Sequence, residues 1–211
     1  LPTHTYYYAV QSFDYSQNRS ALSAPVSASL ADEKGLIARY EFELSASDMT
    51  ENQLHGVVNA PSGLATQATE YRSGKNALLL DGVSTYMCLP VSACSLSDAT
   101  YAVWVCAASG SFATNSCLYN FVSDADHYAT LSLNTGGNIV YRIKNGETEQ
   151  TLQASSLTEG WHHVALTIGT ERVTIYVDGV EVASAPVSVR LSDVCPVVNG
   201  VGANLLEDVP L

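Results

Sequence analysis

The chain has 211 residues, of which 46% are hydrophobic and only 14% are charged, and its formal net charge is −12 at pH 7. This acidity repels phosphate groups, which argues against nucleic acids and anionic membrane surfaces as partners. No run of 18 apolar residues occurs, so no membrane-spanning helix is expected. Divalent cations and neutral glycans remain compatible with the charge.

The five cysteines do not suggest a metal site, because none falls in a Cys-x-x-Cys pair. They are Cys88, Cys94, Cys106, Cys117 and Cys195. A chain of this size can bury enough apolar surface to be stable without disulfides. We therefore expect buried thiols, with one bridge, Cys88–Cys94 or Cys106–Cys117, as the alternative.

The first 30 residues differ from the rest of the chain. A run dense in aromatic and β-branched residues at 5–14 predicts one strand, and 23–28 predicts a second, weaker one. The Tyr-x-Tyr-x-Val pattern and the closing Ser-Ala-Pro-Val-Ser-Ala segment resemble the last two strands of a fibronectin type III domain. A complete domain of that type has about 100 residues. We expect 1–30 to be its C-terminal part, followed by a charged linker at 31–35.

From residue 36 onward the sequence predicts only strands and turns. Strands are expected at 36–43, 76–81, 85–89, 99–106, 117–122, 127–133, 138–143, 148–152, 161–168, 172–177 and 181–185. Asp178-Gly179 predicts a tight hairpin, because a type I′ turn requires positive φ at both central positions. Apolar residues alternate in 162–168 and 172–177, as in sheets with one buried face. About eleven strands with short turns favour a two-sheet jelly roll.

Five phrases in this region resemble the laminin-G-like, concanavalin-A-like jelly-roll family. They lie at 35–43, 77–82, 101–105, 161–167 and 175–182. The resemblance implies an all-β, two-sheet antiparallel sandwich over 36–211, with the N-terminal hairpin as a separate remnant. Members of the family close with a strand of the form Gly-x-Ile-Asp-Glu-Val-x-Ile. Since the chain stops at 205–211, where that strand would begin, we expect the domain to lack it.

The resemblance also makes calcium a candidate cofactor. Many members bind calcium at Phe-Asp-Gly-Asn followed by Asp-x-Ser-Gly-Asn-Gly, and Glu43, Asp48, Asn52 and the carbonyl near His55 lie in the matching stretch. Carboxylate, amide and carbonyl oxygens are the ligands that calcium prefers. Glu43 replaces the Asp, and 49–51 replace the small residues. A solvated acidic loop is the alternative interpretation.

No catalytic residue is assigned. Glucanases of related fold carry Glu-x-Asp-x-x-Glu on one strand, and this string is absent here. Glu147 and Glu149 are two residues apart, as side chains on one face of a strand would be, but they flank a polar turn. His162 and His163 lack partners at metal-ligand spacing and a nearby nucleophile elbow. They match the Trp-His-His-Val motif of the family, in which the two histidines have a structural role.

A glycan site needs exposed aromatic faces beside polar groups. The resemblance places Trp104 and Trp161 in the core, which excludes both as sugar platforms. Tyr119, Tyr128 and Tyr141 are therefore the candidate ligand-binding residues, on the concave sheet. Packing within the core is the alternative for these three side chains.

The pairing of a fibronectin-III-like segment with a laminin-G-like domain resembles accessory regions of bacterial polysaccharide-degrading enzymes. It implies a non-catalytic, carbohydrate-binding module of a larger secreted or cell-surface protein, extracellular or periplasmic, attached to a glycoside hydrolase. The expected partners are glycans or neighbouring domains of the same polypeptide. The alternative is an adhesion or spacer module that acts through protein–protein contacts.

Overall fold

The computed structural model describes residues 5–9, 20–21, 23–24, 26–29, 35–43, 45–60, 72, 74–80, 84–94, 96–107 and 116–202. The chain divides into two compact units, Leu1–Leu36 and Ile37–Leu211. Strands are the main regular structure among the described residues of both units. No helix among the described residues is long and apolar enough to cross a membrane.

The first unit contains a two-stranded antiparallel sheet of β1 (Thr5–Tyr8) and β2 (Val26–Ser29). These strands fall within the two segments predicted from the sequence. Residues 10–19, 22 and 25 of those segments and of the intervening turn lie outside the described residues. The relation of this hairpin to a fibronectin type III domain stays a prediction.

The second unit consists of two antiparallel sheets. Its strands are β3 (Val57–Asn59), β4 (Tyr86–Cys88), β5 (Ala99–Ala107), β6 (Ser116–Asp124), β7 (His127–Leu133), β8 (Asn138–Asn145), β9 (Thr148–Ser156), β10 (Gly160–Ile168), β11 (Arg172–Val177), β12 (Val180–Pro186) and β13 (Val198–Val201). The four-stranded sheet has the order β12-β11-β10-β5, and the seven-stranded sheet has the order β3-β4-β13-β6-β7-β8-β9. The only helical pieces in the described residues are a 3₁₀ turn at Val91–Ala93 and helix α1 (Leu191–Val194). The predicted all-β jelly-roll sandwich is confirmed.

One apolar core lies between the two sheets. The four-stranded sheet contributes Val164, Leu166, Ile168, Val173 and Ile175, and the seven-stranded sheet contributes Tyr119, Phe121, Ala129, Leu131, Leu133, Ile139, Tyr141 and Ile143. In each strand these residues are two apart, because successive side chains of a strand point to opposite faces. Burial of these side chains is the main force that holds the sheets together.

The hairpin of β10 and β11 forms as the sequence predicts. Val164, Leu166 and Ile168 face the core, opposite Val177, Ile175 and Val173 of the next strand. The turn from β11 to β12 has φ of 51° at Asp178 and 81° at Gly179. Both central residues thus have the positive φ that a type I′ turn requires, so the predicted turn is confirmed.

Two predicted strands do not form as strands. Residues 36–43 make only an isolated bridge between Tyr40 and Asp48, and 76–80 contain no strand. Phe42 has φ of 58°, and an extended strand cannot continue through that conformation. The short edge strand β3 occurs instead, at a position where no strand was predicted.

None of the five cysteines forms a disulfide. Cys94 and Cys117 are buried, Cys88 is half-buried, and Cys106 and Cys195 are exposed. The expectation of thiols is therefore correct, whereas the expectation that all of them are buried fails for two. The alternative bridges, Cys88–Cys94 and Cys106–Cys117, do not form.

Candidate functional site

Asp48, the central residue of the predicted calcium site, is bound by donors of its own chain. Its Oδ1 accepts hydrogen bonds from the backbone N–H groups of Arg39 and Thr50, each at 2.9 Å. Its Oδ2 accepts from the Thr50 hydroxyl at 2.7 Å and from the Leu54 N–H at 2.9 Å. These four donors match the four lone-pair sites of a carboxylate. Asp48 could bind a cation only by giving up one of them.

The hydrogen bonds also set the ionisation of Asp48. Burial opposes the charged form, but the backbone N–H groups of Arg39, Thr50 and Leu54 and the Thr50 hydroxyl outweigh it and lower the pKa of Asp48 from 3.8 to about 2. The carboxylate is therefore charged across the physiological range, as a structural anchor for the loop at 37–54.

The other two predicted calcium ligands serve separate contacts. The Glu43 carboxylate accepts from the Lys75 N–H at 3.0 Å, and the Asn52 side-chain amide donates to the Ile37 carbonyl at 2.9 Å. Within the described part of the chain, no three His, Cys, Asp or Glu side chains are grouped to hold a metal ion. In this arrangement Glu43, Asp48 and Asn52 do not fit calcium, and its binding stays a prediction.

The three predicted ligand-binding tyrosines do not share a face. Tyr119 and Tyr141 point into the core between the sheets, and Tyr141 is only 2% exposed. Tyr128 is half-buried on the opposite face of the seven-stranded sheet, next to Lys144 across the ladder. Tyr119 and Tyr141 cannot contact a ligand at the surface, so the prediction for these two is corrected. Both side chains pack in the core, as the alternative interpretation holds.

The prediction that Trp104 lies in the core is wrong. Its side chain is 43% exposed, on the outer face of the four-stranded sheet. Strand β5 packs its odd-numbered residues, Tyr101, Val103 and Val105, against the core. Because side chains alternate along a strand, Trp104 has to point outward. The sequence conceals this, since valines flank Trp104 on both sides.

The outer face of the four-stranded sheet gathers four ring-bearing side chains. His163 lies directly across the ladder from Trp104, and their ring centroids are 5.2 Å apart. Trp161 is two residues before His163 in β10, on the same face, and Tyr176 of β11 lies across from Ala165, also on this face. We call Trp104, Trp161, His163 and Tyr176 the aromatic face. Trp161, His163 and Tyr176 are half-buried, and Ala102 and Cys106 beside Trp104 are exposed.

Asp178 fixes the strand that carries His163. Its Oδ1 accepts from the His163 N–H at 2.9 Å, and its Oδ2 lies 2.8 Å from Nδ1 of His162. The His163 N–H and the His162 ring lower the pKa of Asp178, so the carboxylate stays charged. The turn of one hairpin thereby holds the end of β10 in place, beneath the aromatic face.

A small cavity opens on the other side of β10. Its volume is about 150 Å³, and its lining includes Thr158, His162, Val177 and Val182. Nε2 of His162 lies 3.0 Å from the Thr158 hydroxyl. Ligand pockets usually measure about 300–1,000 Å³, so this cavity is small for an oligosaccharide. The aromatic face is the better candidate site.

The glutamates considered for catalysis lie at the β8–β9 hairpin. Glu147 is exposed in the turn, and the Glu149 carboxylate forms an ion pair of 3.1 Å with Arg142. Glu149 is thus engaged with a cation of the neighbouring strand.

Comparison with known proteins agrees with this architecture. A laminin-G family model described as the concanavalin A-like lectin/glucanases superfamily matches residues 81–203. No curated protein matches the chain in sequence.

Two solved structures share the fold. Domain 4 of AbnA, a GH43 extracellular arabinanase from Geobacillus stearothermophilus, in complex with arabinotriose, is 18% identical with a TM-score of 0.59, over 80% of this chain and 83% of that one. The binding domain of botulinum neurotoxin serotype C1 is 12% identical with a TM-score of 0.60, over 80% of this chain and 42% of that one. Since the family model covers more than half of the 211 residues, the chain belongs to the concanavalin A-like lectin/glucanases superfamily.

Proposed function

We propose that this chain is a non-catalytic, carbohydrate-binding module of a larger secreted or cell-surface protein. The observation that carries the proposal is the aromatic face, where Trp104 is 43% exposed beside the His163 ring. A large aromatic side chain is costly to leave in water and is common at binding surfaces. Sugars suit such a surface, because their C–H groups pack on an aromatic ring while their hydroxyls reach polar neighbours.

Polar groups around the rings favour a sugar over a purely apolar partner. Tyr176 carries a hydroxyl, His163 carries ring nitrogens, and Thr100 and Thr167 continue the same face along β5 and β10. Hydroxyl and imidazole groups both donate and accept hydrogen bonds, which matches the hydroxyls of a glycan. The exposed edge at Ala102 leaves room beside the indole ring.

We further propose that the parent protein is extracellular and carries a glycoside hydrolase. The similar domain of AbnA belongs to an extracellular arabinanase and was solved with arabinotriose. At 18% identity this similarity supports the fold alone, and arabinotriose is one of the glycans to include in the array.

A glycan array tests the proposed function. We expect the intact chain to bind a subset of plant or host glycans, and Trp104→Ala to lose that binding without loss of thermal stability. Tyr128→Ala is the matched control, because Tyr128 lies on the other sheet, and it should bind as the unchanged chain does. Loss of binding in Tyr128→Ala alone would move the site to the seven-stranded sheet.

The alternative is an adhesion or spacer module. The four-stranded sheet also exposes Val180 and Val182 on β12, and exposed apolar residues are found at protein–protein contacts. In that case this edge of the four-stranded sheet would bury against a neighbouring domain, and the chain would bind no glycan. Silence across the whole array would favour this alternative.

A further inference from the structure

A guanidinium group covers part of the aromatic face. The central carbon of the Arg72 guanidinium lies 4.4 Å from the centroid of the Trp104 ring. This distance is within the range of a cation–π contact, in which the flat guanidinium packs on the indole. A cation–π contact leaves N–H donors of the guanidinium able to bind an acceptor.

Three cations outside the aromatic face have carboxylate partners close by. Arg142 pairs with Glu149 at 3.1 Å, and Arg172 pairs with Glu181 at 2.9 Å. Lys144 likewise pairs with Asp126. Within the described part of the chain, Arg72 forms no such ion pair.

We propose that Arg72 and Trp104 together recognise a sugar that carries a carboxylate, such as a uronic acid residue of an acidic polysaccharide. This inference rests on the proposed carbohydrate binding and specifies its ligand class. The N–H fork of Arg72 donates two parallel hydrogen bonds to the two oxygens of a carboxylate, a pairing that lysine cannot reproduce. The pyranose ring of the same residue then lies against Trp104 and His163.

The net charge of −12 does not prevent this recognition. At physiological ionic strength charges more than about 8 Å apart are largely screened, so the adjacent guanidinium dominates the local field. Two acidic groups of this sheet are also engaged. Glu181, which lies across from Tyr176, pairs with Arg172, and Asp178 binds His162 and the His163 N–H. Among the described residues, the Arg72 guanidinium is therefore the cation available to the carboxylate of a ligand at this face.

Calorimetric titration of the 211-residue chain tests the proposal. The probes are an oligogalacturonate and the same oligosaccharide after chemical reduction of its carboxylates to alcohols. We expect the acidic form to bind about ten- to hundredfold more tightly than the reduced form, as a charge-assisted hydrogen-bond pair predicts. The difference should shrink as salt is added.

Two variants assign the effect to one arginine. Arg72→Gln should remove most of the preference for the acidic form, and Arg72→Lys should restore only part of it. Arg142→Gln is the matched control, because Arg142 lies on the other sheet and pairs with Glu149, and it should keep the full preference.

The outcomes separate this inference from the proposed function. Equal or tighter binding of the reduced oligosaccharide would overturn the acidic-sugar inference and leave carbohydrate binding intact. An acidic preference that survives in Arg72→Gln would also overturn it, since another group would then bind the carboxylate. Failure of both oligosaccharides, together with a silent glycan array, would overturn both proposals.

Discussion

Asp48 is the residue on which the loop at 37–54 depends most. Asp48→Asn replaces one accepting oxygen with an NH₂ group, which leaves donors such as the Leu54 N–H and the Thr50 hydroxyl without a charged acceptor. We expect the free energy of unfolding to fall by about 2 kcal/mol in urea denaturation. Glu51→Gln removes the same charge from an exposed position of that loop and should change it little.

The same carboxylate gives the protein a defined acid sensitivity. Because the pKa of Asp48 is about 2 in the folded state against 3.8 ordinarily, its stabilisation is complete above pH 3.8 and is lost as the pH falls toward 2. Asp48→Asn should therefore flatten the fall of stability in this interval. Parallel curves for the variant and the unchanged chain would contradict the role given to Asp48.

Two tyrosines test the assignment of faces in the seven-stranded sheet. Tyr141 is 2% exposed in the core, so Tyr141→Ala should lower the free energy of unfolding by about 3–5 kcal/mol. Tyr128 is half-buried on the other face, and Tyr128→Ala should cost much less. Thermal denaturation of both variants measures the difference. Similar losses would mean that the two side chains do not lie on opposite faces.

Residue-scale prediction from the sequence failed where a strand is apolar on both faces. The phase of β5 is ambiguous because Val103, Trp104 and Val105 are all apolar, and only the packing of Tyr101 into the core settles it. By contrast, His162, Val164 and Leu166 alternate with smaller or polar residues, and the predicted face of β10 is confirmed. Of the three candidate tyrosines, only Tyr128 could still meet a ligand at the surface.

At the scale of elements, the hairpins were predictable and the first loop was not. Asp178 and Gly179 both adopt the positive φ that a type I′ turn requires, so the hairpin of β11 and β12 is predictable from the local sequence. Residues 36–43 have the composition of a strand, but side-chain hydrogen bonds to Asp48 replace the ladder that a strand would need. These hydrogen bonds span only two to nine residues, but they depend on one side chain and leave no alternating pattern in the sequence.

The hydrogen bonds of the loop at 37–54 also lead to a prediction about calcium binding. Because four donors of the chain occupy the Asp48 carboxylate, we expect millimolar calcium to leave the midpoint of thermal unfolding unchanged in this chain. A ligand that binds only the folded state raises that midpoint, so differential scanning fluorimetry with calcium and with EDTA decides the matter. A calcium-dependent rise that Asp48→Asn abolishes would support the sequence-based prediction, with a rearranged loop.

Over the whole molecule, cysteine reactivity reports the packing of the sandwich. Burial raises the pKa of Cys94 to about 12 and that of Cys117 to about 11, the latter despite a hydrogen bond from Asn120. We expect Cys106 and Cys195, which are exposed, to react first with a thiol reagent at mildly alkaline pH. Cys94 and Cys117 should react only after unfolding. Peptide mass mapping of the labelled sites gives the order, and early labelling of Cys94 would contradict the core described here.

The fold class could be predicted from the strand pattern and from the resemblance to the family, whereas the candidate site could not. Family resemblance assigned both tryptophans to the core, and the aromatic face emerges only when β5 and β10 are placed side by side. Arg72 belongs to no recognised phrase and meets Trp104 across 32 positions of sequence. A surface built from separate strands has no signature in any one of them.

Tryptophan fluorescence during a glycan titration tests the central claim most directly. The chain has two tryptophans, and both lie on the aromatic face, so a sugar bound there changes the environment of the only indole rings. We predict a saturable change in emission with the same dissociation constant that calorimetry gives, and loss of both signals in Trp104→Ala. Calorimetric binding with unchanged emission, retained in Trp104→Ala, would place the glycan elsewhere and contradict the account.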